Sequence, residues 1–183
     1  MSRTEILIGG VGGQGVVLSG ILLGTAATLF EGRKAVQTQS YSSELRGGSA
    51  RAEVIISEEP VSDPQVRRPD ILIVLAEEAL SRYTGKLKPG GLLLIDSDLV
   101  RGATPQNCEV LSIPATGLAD KEMGNIVVAN LIILGALIQK TGLLSVASME
   151  KAIEVSVPKK ATALNLKAFR RGLTLLSDRP LLA

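Results

Sequence analysis

The stretch Gly9-Gly10-Val11-Gly12-Gly13-Gln14-Gly15-Val16-Val17 carries the spacing G-x-G-x-x-G at Gly10, Gly12 and Gly15. A short apolar run, Glu5–Gly9, precedes it and a helical pattern follows. Glycines between a strand and a helix permit positive φ and let main-chain amides approach an anion at the helix N-terminus. Dinucleotide-binding folds hold pyrophosphate in this way. The companion carboxylate, expected about 20 residues further on at the end of the next strand, is missing. Val36-Gln37-Thr38-Gln39-Ser40 contains no acid. The loop also lacks the Lys-Ser/Thr pair of a P-loop. Two readings stand: a loop that contacts a ligand, and a loop that lets a second backbone pack closely.

A second polar loop, Gln39-Ser40-Tyr41-Ser42-Ser43-Glu44-Leu45-Arg46-Gly47-Gly48, follows the second strand pattern. In a doubly wound sheet it emerges at the carboxyl edge, beside the first glycine loop. Glu44 and Arg46 offer a carboxylate and a guanidinium two residues apart. Gly47 and Gly48 point to a loop of defined shape. A third feature is Asn125, at the start of an apolar helix and facing the same edge, where it is expected near a ligand, with Asn130 inside that helix. A buried Asn needs hydrogen-bond partners, and a neighbouring main chain usually supplies them. Asp96 and Asp98 read as turn residues, Lys159-Lys160 as a solvated pair, and Cys108 as packing. No residue stands out as a catalytic acid, base or nucleophile.

Composition narrows the chemistry. The 183 residues include no His, one Cys, no Trp, two Tyr and two Phe. Triads and dyads built on His are excluded, and so are His-ligated metals. One thiolate holds neither an iron–sulfur cluster nor a structural zinc, and it fits a reducing cytoplasm. A net charge of +2 and the scarcity of aromatics argue against nucleic acid. Mean hydropathy is +0.30, yet the longest apolar stretch, Ile126–Ile138, is too short to span the roughly 30 Å of a bilayer core. A buried sheet accounts for the hydropathy, as does apolar surface covered by partners.

The elements that position these loops alternate between two periods. Strand patterns occupy Glu5–Gly9, Ala35–Gln39, Ala50–Ser57, Ile71–Leu75, Leu92–Ile95 and Glu109–Ile113. Helical patterns occupy Val16–Phe30, Glu77–Thr84, Ile126–Gln139, a segment from Ser145 or Ser148 to about Val155, and Thr162–Leu176. Alternation of this kind predicts an α/β fold, a Rossmann-like three-layer sandwich with a mostly parallel sheet, over one domain spanning residues 1–183. Ala50–Ser57 follows another strand after only a polar loop, so it is expected to run antiparallel or to lie at an edge.

Taken together, GGVGGQGVV, YSSELRGG and the helix from Gly124-Asn125 through Leu134-Gly135-Ala136-Leu137 resemble the gamma subunit of 2-oxoacid:ferredoxin oxidoreductases. Lesser echoes are Pro69-Asp70-Ile71-Leu72, Lys88-Pro89-Gly90-Gly91 before a strand and Asp96, and Thr141-Gly142-Leu143. The resemblance runs over nearly the whole chain. It implies an enzyme that turns a 2-oxoacid and coenzyme A into acyl-CoA and carbon dioxide while reducing ferredoxin. Thiamine diphosphate would sit in alpha and beta subunits, and iron–sulfur clusters in the beta subunit or a ferredoxin-like delta subunit. This chain alone would bind no cofactor. Carried over, Gly12, Gly13, Gln14, Gly15, Tyr41, Glu44, Arg46, Gly47 and Gly48 are expected to line an interface near the thiamine site or the coenzyme A approach. Arg46 would then neutralise a substrate or coenzyme anion, or Arg46 and Glu44 would only make intersubunit ion pairs. Two alternatives stay open: a free-standing nucleotide-binding enzyme using Gly10–Gly15, and a purely structural module.

Overall fold

The structure, a computed structural model, describes residues 3–41 and 48–176. Six strands form one sheet: β1 (Arg3–Val11), β2 (Lys34–Tyr41), β3 (Ser49–Ser57), β4 (Ile71–Val74), β5 (Leu92–Asp96) and β6 (Glu109–Ile113). Their spatial order is β2-β3-β1-β4-β5-β6. β1, β4, β5 and β6 are mutually parallel. β3 pairs antiparallel with both β1 and β2, so β2 points the same way as β1 without touching it.

The antiparallel expectation for β3 holds, but its edge alternative does not. β3 lies inside the sheet, and β2 is the edge strand. The alternation of Arg51 and Glu53 with apolar residues mimics a half-exposed strand. Glu53 is nevertheless buried. Its carboxylate accepts from Thr38 Oγ1 at 3.2 Å and from Val66 N at 3.4 Å, and it pairs with Arg51 at 3.5 Å. These partners remove the cost of burying a bare charge.

Period-two alternation divides the strands between two cores. Ile6, Ile8, Val54, Ile56, Ile71, Ile73 and Leu94 face one side. Leu7, Ile55, Leu72, Val74 and Leu93 face the other. The first face is covered by α1 (Val16–Thr25), α4 (Ala129–Thr141), α5 (Val146–Ser156) and α6 (Lys159–Thr174). The second is covered by α2 (Glu77–Tyr83), through Ala79, Leu80 and Tyr83, and by Val66 from the proline-punctuated loop. The result is a three-layer α/β sandwich of unequal outer layers.

Two helical starts differ from expectation. α6 begins at Lys159 directly after Pro158, a position where a missing N–H costs nothing. A short helix, α3 (Ala115–Leu118), continues as a π-turn over Ala119–Met123 and has no counterpart among the expected elements. Asn125 accepts from Val127 N at 3.0 Å and caps the 3₁₀ turn Ile126–Val128 that leads into α4. Gly142 closes α4 at φ 59°. Gly135 of α4 and Gly172 of α6 bring the two backbones together, with a Cβ on either falling 2.9 Å from the other's Cα.

Candidate functional site

α1 leaves β1 toward one face of the sheet, and α2 leaves β4 toward the other. The carboxyl ends of β1 and β4 therefore flank a topological switch point, where α/β sheets open a crevice. Gln14 spans it. Its Oε1 accepts from Val11 N at 2.8 Å, and its Nε2 donates to the Leu75 carbonyl, just past β4, at 2.7 Å. The missing side chain of Gly10 makes room for Gln14, since a Cβ there would lie 2.6 Å from Oε1. Gly10 thus serves packing and is itself buried.

Gly13 and Gly15 have φ of 94° and 72°, which supplies the positive φ expected of this loop. Gly15 is also pressed against Asn130, whose Cγ would be 2.6 Å from an added Cβ. Asn130 Nδ2 donates to the Gly15 carbonyl at 3.2 Å and to Ser19 Oγ at 3.1 Å. The expected main-chain partner of Asn130 is therefore the glycine loop itself. Close backbone packing explains Gly15, and Gly12 and Gly13 remain at the surface.

The described ends of the second loop, Tyr41 and Gly48, lie beside the glycine loop. Gly12 N donates to the Gly48 carbonyl at 2.9 Å, and Tyr41 joins Gly12, Gly13 and Gly15 along a groove of about 290 Å³. Tyr41 is 61% exposed. Glu44, Arg46 and Gly47 lie outside the described residues. Asn125 is exposed and engaged as a cap; Asn130, one turn further on, lines the crevice instead.

Two cavities flank this corner. One, of about 300 Å³, is lined by Gly12, Gly13 and Gln14 with Leu75, Leu99, Ile126, Val127, Ala129 and Asn130, and by Asp96 and Thr116. The other, of about 410 Å³, is lined by Ser40, Tyr41, Ser49 and Tyr83 and by three cations, Arg51, Arg82 and Lys86. Among the described residues no carboxylate lines it. Lys86 Nζ lies 5.8 Å from the Tyr83 ring centroid. Arg82 and Lys86 sit at the end of α2 and in the turn after it, and nothing in their local sequence pattern set them apart. Only the fold brings them beside Arg51.

Asp96 ends β5 and is almost fully buried. It accepts from Thr116 Oγ1 at 2.6 Å, from Thr116 N at 3.2 Å and from Asp98 N at 3.2 Å. Asp98 in turn accepts from Gly117 N at 2.6 Å. The two carboxylates cap α3 from outside, a role beyond the turn expected of them. Burial pushes the Asp96 carboxyl above its ordinary range, against the lowering effect of these hydrogen bonds. The native state then holds a proton more tightly than the unfolded chain does. Its share of stability is greatest below the ordinary Asp pKa and declines as pH rises toward the elevated native value. Asp96→Asn is expected to flatten the dependence of melting temperature on pH across that interval, measured by calorimetry from pH 4 to pH 7. An unchanged slope would refute the assignment.

Burial also raises the Cys108 thiol, which donates to the Pro105 carbonyl at 3.4 Å. Among the described residues no three His, Cys, Asp or Glu are grouped to share a metal ion. With a single Cys in the chain, the donor set does not suit an iron–sulfur cluster. No described helix is long and apolar enough to cross a membrane.

Residues 5–175 match the family described as pyruvate ferredoxin/flavodoxin oxidoreductase. The 2-oxoglutarate synthase subunit KorC of Methanocaldococcus jannaschii is 46% identical over 178 residues, covering 96% of this chain and 95% of that one. The pyruvate synthase subunit PorC of Methanothermobacter marburgensis is 34% identical, over 91% and 93% of the two chains. The keto/oxoacid ferredoxin oxidoreductase gamma subunit of Geobacter sulfurreducens superposes with a TM-score of 0.84 at 41% identity, over 94% and 95%. The 2-oxoglutarate:ferredoxin oxidoreductase of Magnetococcus marinus gives 0.87 at 25% identity, over 98% of this chain and 32% of that one. The chain belongs to the pyruvate ferredoxin/flavodoxin oxidoreductase family, as a gamma-type subunit of a 2-oxoacid:ferredoxin oxidoreductase.

Proposed function

We propose that this subunit works in an assembly converting 2-oxoglutarate and coenzyme A to succinyl-CoA and carbon dioxide, with ferredoxin as electron acceptor. Full-length likeness carries the choice of 2-oxoacid: identity is 44–46% to three 2-oxoglutarate synthase subunits and 34% to a pyruvate synthase subunit. The whole chain acts as one gamma-type domain in the cytoplasm. Thiamine diphosphate and the clusters reside in alpha, beta and delta partners, where the thiamine cofactor supplies the decarboxylation chemistry. The native complex should turn over 2-oxoglutarate with a kcat/KM at least tenfold above that for pyruvate or 2-oxoisovalerate. Equal or reversed preference would overturn the substrate assignment.

The contribution of this chain is charge and shape at the approach of the coenzyme. Arg51, Arg82 and Lys86 gather three positive charges beside Tyr41 and Tyr83. Guanidinium and ammonium groups suit phosphate oxygens, and a ring face suits a base. Arg46 is the further candidate that the family resemblance offers for neutralising an anion. Arg82→Ala and Arg46→Ala should each raise the KM for coenzyme A about tenfold while leaving the KM for the 2-oxoacid unchanged. Loss of assembly in place of a KM change would assign these residues to subunit contacts. The free-standing dinucleotide reading has little support, because Gln14 fills the space behind Gly10 and the acid is missing. Tight NADH binding by the isolated chain in calorimetry would revive it.

A further inference from the structure

β1 and β4 run parallel in the register Ile6↔Ile71 to Gly9↔Val74. One further rung joins them, Leu75 N donating to the Gly9 carbonyl at 2.9 Å. Rungs of a parallel ladder follow one another at even spacing, so the next would run from Val11 N to the Leu75 carbonyl. Gln14 occupies that rung. Val11 N donates to its Oε1 at 2.8 Å, and its Nε2 donates to the Leu75 carbonyl at 2.7 Å. A primary amide offers the same kinds of acceptor and donor as a peptide group. The ladder therefore continues through a side chain while the strands separate by the width of one amide. Gly12 N, the next amide along, donates to the opposite neighbour, the Gly48 carbonyl ahead of β3. Gln14 N closes the turn on the Val11 carbonyl at 3.2 Å, with Gly13 at φ 94° inside it.

The two strand ends joined in this way carry the two halves of the basic pocket. β3 pairs with β1 through Gly9↔Arg51 and Val11↔Ser49, which places Ser49 and Arg51 on one side. Leu75 leads through Ala76 into α2, which ends in Arg82 and Tyr83 and is followed by Lys86 on the other side. The Tyr83 ring fits because Gly9 has no side chain; a Cβ there would lie 2.8 Å from it. Glu53 pairs with Arg51 at 3.5 Å, but among the described residues no carboxylate lines the pocket itself. Like charges repel, so the cations do not draw the two halves together.

We infer that Gln14 is a positioning residue: as the substitute rung between β1 and β4 it sets the spacing of Arg51 from Arg82 and Lys86, and with it the fit of the pocket to coenzyme A. The inference rests on the coenzyme reading proposed above. Gln14→Met removes donor and acceptor at nearly constant length. Gln14→Glu is isosteric but turns an acceptor toward the Leu75 carbonyl, and it serves as the test if Gln14→Met fails to fold. Both are assayed in the assembled enzyme beside wild type and Arg82→Ala, with melting curves as a check on folding. We expect the KM for coenzyme A to rise at least fivefold in each Gln14 variant, with kcat and the KM for 2-oxoglutarate within twofold of wild type. Hydrogen exchange at residues 11 and 12 should quicken at least tenfold in Gln14→Met. A raised KM in Arg82→Ala with a wild-type KM in folded Gln14→Met overturns the inference and spares the coenzyme reading. A rise in Gln14→Glu alone, with folded Gln14→Met like wild type, assigns the effect to the added charge and overturns it as well. A coenzyme KM unchanged in all three variants removes the coenzyme reading, and the positioning role falls with it. Unchanged exchange in Gln14→Met shows that no rung was lost and overturns the inference whatever the Michaelis constants do.

Discussion

Gly172→Ala is expected to lower the melting temperature by about 6–12 °C. At Gly172 an added Cβ lands inside van der Waals contact of the Ile132 carbonyl oxygen and 2.9 Å from Ala136 N. Both obstacles are main chain, so no rotamer change relieves them. α4 and α6 must move apart, and α4 is held in the core by Leu131, Ile132, Leu134 and Leu137. Overpacking of this kind costs about 3 kcal/mol, and in a chain of this size each kcal/mol shifts the midpoint by about 2–4 °C. Gly135→Ala meets the Phe169 carbonyl and Leu173 N from the other side and should cost a similar amount. The double variant should cost clearly less than the two single losses together, because one displacement serves both methyl groups. Gly24, in α1, has nothing within 4 Å of its ideal Cβ. Gly24→Ala should raise the midpoint slightly through helix propensity. If Gly172→Ala melts like wild type, the backbone contact between α4 and α6 is wrong.

Gly15→Ala is expected to destabilise the chain by about 3 kcal/mol and to depress turnover of the assembled enzyme. Two causes add. An L-residue at φ 72° costs about 1–2 kcal/mol. The new methyl also collides with the Asn130 carboxamide, which must give up bonds to Gly15 O and Ser19 Oγ worth about 1 kcal/mol each. Gly13→Ala separates the terms: its φ is 94° but nothing lies within 4 Å, so only the backbone cost should appear. Asn130→Ser in the Gly15→Ala background should recover part of the loss, read as a coupling energy in a double-mutant cycle of urea melts. Additive effects would show that the two residues do not touch.

The sheet was legible because its strands are apolar in runs. Ile71–Val74 and Leu92–Ile95 admit no polar residue, as befits strands covered on both faces. The place of β3 was hidden by Glu53, whose satisfying groups come from Thr38 and Val66, 15 and 13 residues away. Local pattern carries no information about such partners. α3 was missed for a related reason. A helix announces itself by a capping residue just before it, but Pro114 provides no side-chain cap, and Asp96 and Asp98 reach across from β5. The glycine loop was visible as a motif, yet spacing alone did not separate its packing positions, Gly10 and Gly15, from its surface ones. The cations Arg51, Arg82 and Lys86 are spread over 35 residues of chain and meet only after β3 and α2 are placed.

β3's insertion beside β1 also bears on the order in which the chain is made and folds. β1 leaves the ribosome first, yet its two hydrogen-bonded neighbours pair it at Arg3↔Ser57 and Ile6↔Ile71. Its β3 partners lie 38 (Val11↔Ser49) to 54 (Arg3↔Ser57) residues further on, and its β4 partners further still, so β1 waits for several tens of residues before either side is satisfied. β2 and β3, by contrast, pair with each other across a short connection and can zip as soon as both emerge, since local closure is fast and long closure is slow. The nascent chain thus carries an unpaired Ile6-Leu7-Ile8 until the hairpin docks against it. That interval is when a holding chaperone, or the wrong neighbour, has its opportunity.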